Sequence, residues 1–116
     1  MKKSNPQLQL TIEQLRKRAH TEKSNFWLRI AEDLQKPSRA RVIVNLSKIS
    51  RVCDEGETVI VPGKVLAAGE LDKNITVIAY QFSGNAKKKI ADKGNAMDLN
   101  ELAEKGIKGQ KIRIMG

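Results

Sequence analysis

Aromatic residues are scarce in this chain of 116 residues: one Trp, one Tyr and two Phe, 3% in all. A core must therefore be built on Val, Ile, Leu and Ala, and with no string of the R-G-F-x-F type a sheet that reads RNA by stacking bases on exposed aromatics is argued against. The single Cys53 excludes an intramolecular disulfide, and one histidine leaves no cluster with metal-ligand spacing. Cys53 reads as a small buried apolar residue of an intracellular protein. No run reaches the roughly eighteen consecutive apolar residues that span a bilayer, and MKKSNPQLQL carries no apolar stretch of signal-peptide length. Neither export nor membrane insertion is expected. His20 has no serine or cysteine nucleophile with an orienting acid, so it reads as a polar surface residue rather than a catalyst.

What the chain has in excess is positive charge, +9 net, and the excess is segregated. Residues 1 to 52 carry 12 Lys or Arg against 4 Asp or Glu, whereas residues 53 to 116 carry 10 against 9. Between residues 53 and 82 the balance turns acidic, with Lys64 and Lys73 against Asp54, Glu55, Glu57, Glu70 and Asp72. A uniform solubility coating would not separate this way. The asymmetry points to a polyanionic partner, and nucleic acid is favoured over an acidic membrane because no basic amphipathic helix with a bulky apolar face stands out.

The length fits one domain with a real core, 40% of the residues being apolar. Residues 1 to 9 are polar, contain Pro6 and lack periodicity, so they read as a flexible basic arm ahead of a single domain over residues 10 to 116. Thr11 with Glu13 and Gln14 resembles a capping box, and Leu8, Ile12, Leu15 and Ala19 follow helical spacing. Ser24 is a second N-cap candidate before the stripe Trp27, Ile30, Ala31 and Leu34, which Pro37 ends. The period then changes. Val42 to Val44 reads as a buried strand, Ser47 caps a short helix through Val52, and Thr58 to Val61 is a strand closed by a Pro62-Gly63 turn. Val65 to Ala68 is a short strand or irregular turn, and Ile75 to Phe82 is the longest β-type run, with Tyr80 and Phe82 on one face and both interior. Ser83 caps a helix from Asn85 to Lys93, a further helix spans Leu99 to Lys105, and Lys111 to Ile114 is a last strand. Alternation of strands and helices gives an α/β domain.

Several groups could meet a polyanion. Lys64 follows a Pro-Gly pair, but Thr58 stands where a Walker-type loop needs its first glycine and Val65 where it needs a hydroxyl, so nucleotide hydrolysis is not indicated and a phosphate contact or a plain exposed lysine remain. Lys87, Lys88, Lys89 and Lys93 follow Ser83, Gly84 and Asn85, so backbone N-H groups and ammonium groups of one helix start could face the same anion; the bland alternative is a solvated helix face. Arg16, Lys17 and Arg18 cannot share one helical stripe, yet folded RNA can be met from more than one side, and Arg39 and Arg41 extend the same basic region. Lys48 and Arg51 lie on the outer side of their short helix, and Lys2 and Lys3 on the arm could reach a phosphate. Trp27 belongs to the core by its spacing.

The segments RVIVNLSKISR at Arg41 to Arg51, GETVIVPGKVLAAGEL at Gly56 to Leu71 and TVIAYQFSGNAKKKI at Thr76 to Ile90 resemble, in order and across nearly the whole chain, the large-subunit ribosomal proteins of the eighteen-e type. The resemblance implies N-terminal helices followed by an irregular β-β-α layered core, a fold related to bacterial ribosomal protein fifteen, and no catalytic activity, cofactor or small-molecule substrate. It implies a structural constituent of the large ribosomal subunit in the cytoplasm, bound to ribosomal RNA and neighbouring ribosomal proteins; the length resembles that of archaeal members. Two other classes stay open: a non-ribosomal RNA-binding or ribosome-assembly factor, and an enzyme acting on a phosphorylated small molecule through Lys64 and the helix start at Ser83. Glu70 and Asp72 leave it open whether the loop they occupy meets RNA.

Overall fold

Apolar residues three and four apart put Ile12 and Leu15 on the inner side of α1 (Pro6–Glu22), and the stripe Trp27, Ile30, Ala31 and Leu34 on that of α2 (Asn25–Gln35), where all four are buried. The computed structural model describes residues 6–23, 25–36, 41–105 and 112–115. After the two helices come β1 (Val42–Asn45), α3 (Leu46–Val52), β2 (Thr58–Leu66), β3 (Thr76–Phe82), α4 (Ala86–Lys93), β4 (Asn95–Asp98), α5 (Leu99–Lys105) and β5 (Ile112–Ile114).

The strands form one sheet in the order β1-β2-β3-β4, with β5 also on β2, and every pairing is parallel. β5 pairs with Thr58 to Ile60 and β1 with Gly63 to Leu66, so the two short strands divide the length of β2 between them. A parallel sheet is stable when both faces are covered, and its inner strands then lose polar alternation. Val77, Ile78 and Ala79 are accordingly buried in succession. Ile60 and Ile78 pack on one side with Leu15, Ile30, Leu34 and Leu102 from α1, α2 and α5. Val59, Val61, Val77 and Ala79 pack on the other with Leu46 and Ile49 of α3 and Ile90 of α4. Removing a wholly buried Ile or Leu from either layer would cost about 2–5 kcal/mol.

Pro62 and Gly63 do not turn the chain. Strand β2 runs through them, and the register against β3 shifts between Val61 and Lys64. Pro lacks an N-H for the ladder and is tolerated at such an irregularity. Gly63 is needed for space: a Cβ there would lie 2.0 Å from the Val42 carbonyl oxygen of β1. The same shift breaks the alternation of β3, so Tyr80 packs with the α1-α2-α5 layer while Phe82, two residues on, packs with the α3-α4 layer. Both are half-buried, and the expectation of a shared interior face is corrected.

Helix α1 starts at Pro6, not at Thr11, which is buried within it; residues 6 to 9 therefore belong to the helix and not to an arm. Proline is compatible with a first helical turn because the N-H it lacks has no acceptor there. Asn45, not Ser47, stands at the N-cap of α3, and Asn85, not Ser83, at that of α4, neither with a side-chain cap bond. Strand β4 gives no signal in the sequence: Asn-Ala-Met-Asp is poor in β-formers and is held by its pairing with β3. Lys2, Lys3, Ser24, Pro37 and Arg39 lie outside the described residues, as do the first residue expected of the last strand, Lys111, and the glycine, Gly106, expected after α5.

Candidate nucleic-acid interface

Because the strands run parallel, the carboxyl ends of β1 to β4 share an edge, and β1 and β4 pass straight into α3 and α5 there, β3 into α4 after three residues. In open parallel sheets this edge is where crevices form. An open cleft of about 510 Å³ lies on it, with Lys64, Tyr80, Gln81, Ser83, Lys87 and Asp98 in its walls. Lys87 Nζ is 3.3 Å from Asp98 Oδ1 and stands 5.5 Å from the Phe82 ring centroid. Asn85, at the head of α4, is exposed.

Elsewhere the basic residues divide into two sets. Arg18 is turned inward: its Nε donates to the Ala103 carbonyl oxygen of α5 at 2.6 Å, its Nη1 to Glu22 at 2.9 Å, and its guanidinium lies 5.6 Å from the Trp27 ring centroid. Arg41 donates to the Leu34 carbonyl oxygen at the end of α2 and covers Tyr80. Lys89 donates to the carbonyl oxygens of Ala67 and Gly69 and pairs with Glu70, all within 3.1 Å. Arg16 is exposed but donates to Gln35 across the α1-α2 pair. Lys17, Lys48, Arg51, Lys88 and Lys93 are exposed. Three inward cations thus fasten helix to helix, helix to sheet and helix to loop, and a separate outward set faces solvent.

The acidic loop between β2 and β3 belongs to this internal system. Gly69, with φ +90°, lies so close to α3 that a Cβ would sit 2.5 Å from the Ser47 Cβ, and Asp72 accepts a hydrogen bond from Ser50. That bond holds the Asp72 carboxyl below its ordinary range, with Lys73 and Lys93 acting the same way. The loop acids therefore sit as counter-ions between the basic helices α3 and α4. Beneath them Lys73 donates to the Cys53 carbonyl oxygen. Burial first, and the Glu57 carboxylate second, push the Cys53 thiol up. Glu57 itself is 7% exposed, accepts from the Asp54 N-H at 2.7 Å and pairs with Arg113, tying β5 to the start of β2. Among the described residues, no group of three or more His, Cys, Asp or Glu could hold a metal ion, and no helix is long and apolar enough to cross a membrane.

Comparison with known proteins decides the class. Residues 7–97 match the family described as ribosomal proteins 50S-L15 and 50S-L18e together with a 60S counterpart. The chain belongs to this ribosomal-protein family. It is similar to the large ribosomal subunit protein eL18 of Haloarcula marismortui, 42% identical over 115 residues that cover 99% of each chain. It is 41% identical to the proteins of the same name from Pyrobaculum aerophilum and Methanococcus maripaludis, over 97% of this chain and 93% and 94% of theirs. As a member of a structural ribosomal-protein family it is not an enzyme, which removes the phosphorylated-substrate reading of Lys64 and Ser83.

The family match runs from α1 to within β4, so both the cleft and the outward cations of α1, α3 and α4 lie inside it, apart from Asp98 at the end of β4. Of the residues in the ribosomal protein's cleft, sequence reasoning singled out Lys64, Ser83 and Lys87 as phosphate contacts but not Gln81 or Asp98, which come together only because β4 lies beside β3. The one available signal was positional, since both stand at or near the end of a strand that precedes a helix.

Proposed function

We propose that the chain is a structural constituent of the large ribosomal subunit, where it binds folded large-subunit ribosomal RNA by phosphate and shape contacts and touches neighbouring ribosomal proteins. The observation that carries this reading is the outward cation set on a body whose family is ribosomal: Lys17, Lys48, Arg51, Lys88 and Lys93 are exposed, while the loop acids Glu70 and Asp72 are bonded to Lys89 and Ser50. Cations presented on several sides suit an RNA that wraps a protein, and their work is to offset phosphate repulsion where RNA helices approach. Arg16 and Arg51, with planar forks, suit bidentate phosphate contacts. Lys2, Lys3 and Arg39 join the set by charge and place in the sequence. Arg18, Arg41 and Lys89 serve it indirectly, by fixing the helices that carry the others.

A quadruple variant, Lys17→Gln, Lys48→Gln, Lys88→Gln and Lys93→Gln, tests it. The slope of log affinity against log salt for a large-subunit RNA fragment should fall by about three. The variant should also be depleted from purified mature large subunits in competition with the unaltered chain. An unchanged slope, or equal incorporation, would reject the reading; presence in precursor particles alone would make the chain an assembly factor.

A further inference from the structure

Ile43, Lys64 and Gln81 stand in register across β1, β2 and β3. Val42 and Val44 pack toward α3 and α4, so Ile43 between them points to the opposite side, the side that α1, α2 and α5 cover lower down the sheet. Here that cover stops: Ile43 is 61% exposed and Gln81 is exposed. A parallel sheet normally buries both faces, so this strip at its carboxyl end is unfinished in the isolated chain. The cleft opens beside it, and its size falls among pockets for small organic groups, about 300–1,000 Å³.

Its lining selects the occupant. Two ammonium groups, Lys64 and Lys87, favour an anion, whereas the Asp98 carboxylate 3.3 Å from Lys87 would repel a bare anion seated at that end. An occupant must present negative charge on one side and an N-H donor on the other, with a flat surface between them for the Phe82 ring, since the Tyr80 ring packs in the opposite layer under Arg41. A duplex cannot do this, because its bases are stacked inward and its phosphates lie on a convex surface. A protein segment would call for more apolar lining than Ile43 at the margin.

We propose that the cleft at the carboxyl ends of β3 and β4 takes one unstacked nucleotide of single-stranded RNA, its phosphate on Lys64 and Lys87 and its base along Gln81 and Phe82 with an N-H toward Asp98. Every nucleobase can offer such a donor, so the site is tolerant of sequence. Lys87 has two positions to choose between: over Phe82 and beside Asp98, or on the phosphate with the ring uncovered. The proposal rests on the reading of the chain as an RNA-binding ribosomal protein and adds the place and the form of the RNA.

The test uses the full chain with a short single-stranded oligoribonucleotide of mixed sequence carrying 4-thiouridine, and a duplex RNA as the second probe. Photocrosslinks should map to residues 81–84. Gln81→Ala at an exposed site and Lys64→Gln, which keeps most of the stem, should together weaken single-strand binding about tenfold and lower its salt slope by about 0.7, leaving duplex binding within about twofold. Crosslinks confined to α1, α2 or α3, with both variants at full affinity, would overturn the proposal and leave general RNA binding standing. Failure of the unaltered chain to bind either probe would overturn both.

Discussion

Lys88 and Lys89 are neighbours on one helix and do different work. Lys88 is exposed, whereas the Lys89 ammonium is held by two backbone carbonyl oxygens and Glu70, closing the β2–β3 loop onto α4. The same contrast separates Lys17 from Arg18 on α1: the first faces solvent, the second joins α1 to α5 and Trp27. A 100° step per residue is enough to send adjacent side chains to different surroundings. The positive run in the sequence is therefore two systems overlaid. One is structural, with short bonds to carbonyl oxygens and rings; the other is solvated and available to a polyanion.

The sharpest way to break that distinction is at α1. Arg18→Ala should destabilise the protein by about 2 kcal/mol, since the Ala103 carbonyl oxygen loses a part-buried charged donor and is left to find water. Lys17→Ala should stay within about 0.5 kcal/mol. Urea unfolding of the two variants decides it. In RNA binding by the folded fraction the order should reverse, with Lys17→Ala lowering the salt slope and Arg18→Ala leaving it unchanged. Equal losses of stability would mean that the two sets are one.

A good part of the architecture was legible in the sequence, for identifiable reasons. The stripe of α2 carries a helical period and the β3 segment a continuous β-type run, each enough to fix its type, and α5 matches its expected bounds to the residue. Pro62-Gly63 misled because the pair has two uses. Its common one is a turn, and here it serves a strand irregularity where β1 passes too close for any side chain at Gly63. Strand β4 has no local signal and exists through β3, a tertiary cause that no window of residues contains. The candidate interface was legible in part. Composition located the cations by region, but which of them turn inward depends on carbonyl oxygens far away in sequence, such as Ala103 for Arg18 and Ala67 for Lys89. The cleft was half legible: Lys64, Ser83 and Lys87 stand out by charge and by the turn before α4, whereas Gln81 and Asp98 acquire meaning only when two strand ends come side by side.

The α4 pair gives a finer version of the same contrast. Lys89→Ala should cost about 1 kcal/mol, less than Arg18→Ala because its side chain is 33% exposed and its ion pair with Glu70 is screened by solvent. Amide hydrogen exchange should speed up in residues 67 to 71, which lose their tie to the helix. Lys88→Ala should leave both stability and exchange as they were. If instead exchange rises equally in both variants, the loop is held by the general charge of α4 and not by the specific bonds of Lys89.

The smallest effect concerns the acid between the two basic helices. The Ser50 hydroxyl first, then a backbone hydrogen bond, Lys73 and Lys93, hold the Asp72 carboxyl below its ordinary value of 3.8. A folded-state value below the unfolded one means that the stability Asp72 contributes is present above that ordinary value and is lost as pH falls through the lower, folded-state one. In Ser50→Ala, titration of the Asp72 carboxyl followed by NMR should move up toward 3.8. The gap in stability between variant and parent should then be widest at neutral pH and narrow as both carboxyls protonate. A carboxyl that titrates where it did before would assign the shift to the backbone hydrogen bond, Lys73 and Lys93 instead. In that outcome high salt divides what is left, screening the part due to the two lysines and leaving the part due to the backbone hydrogen bond largely intact.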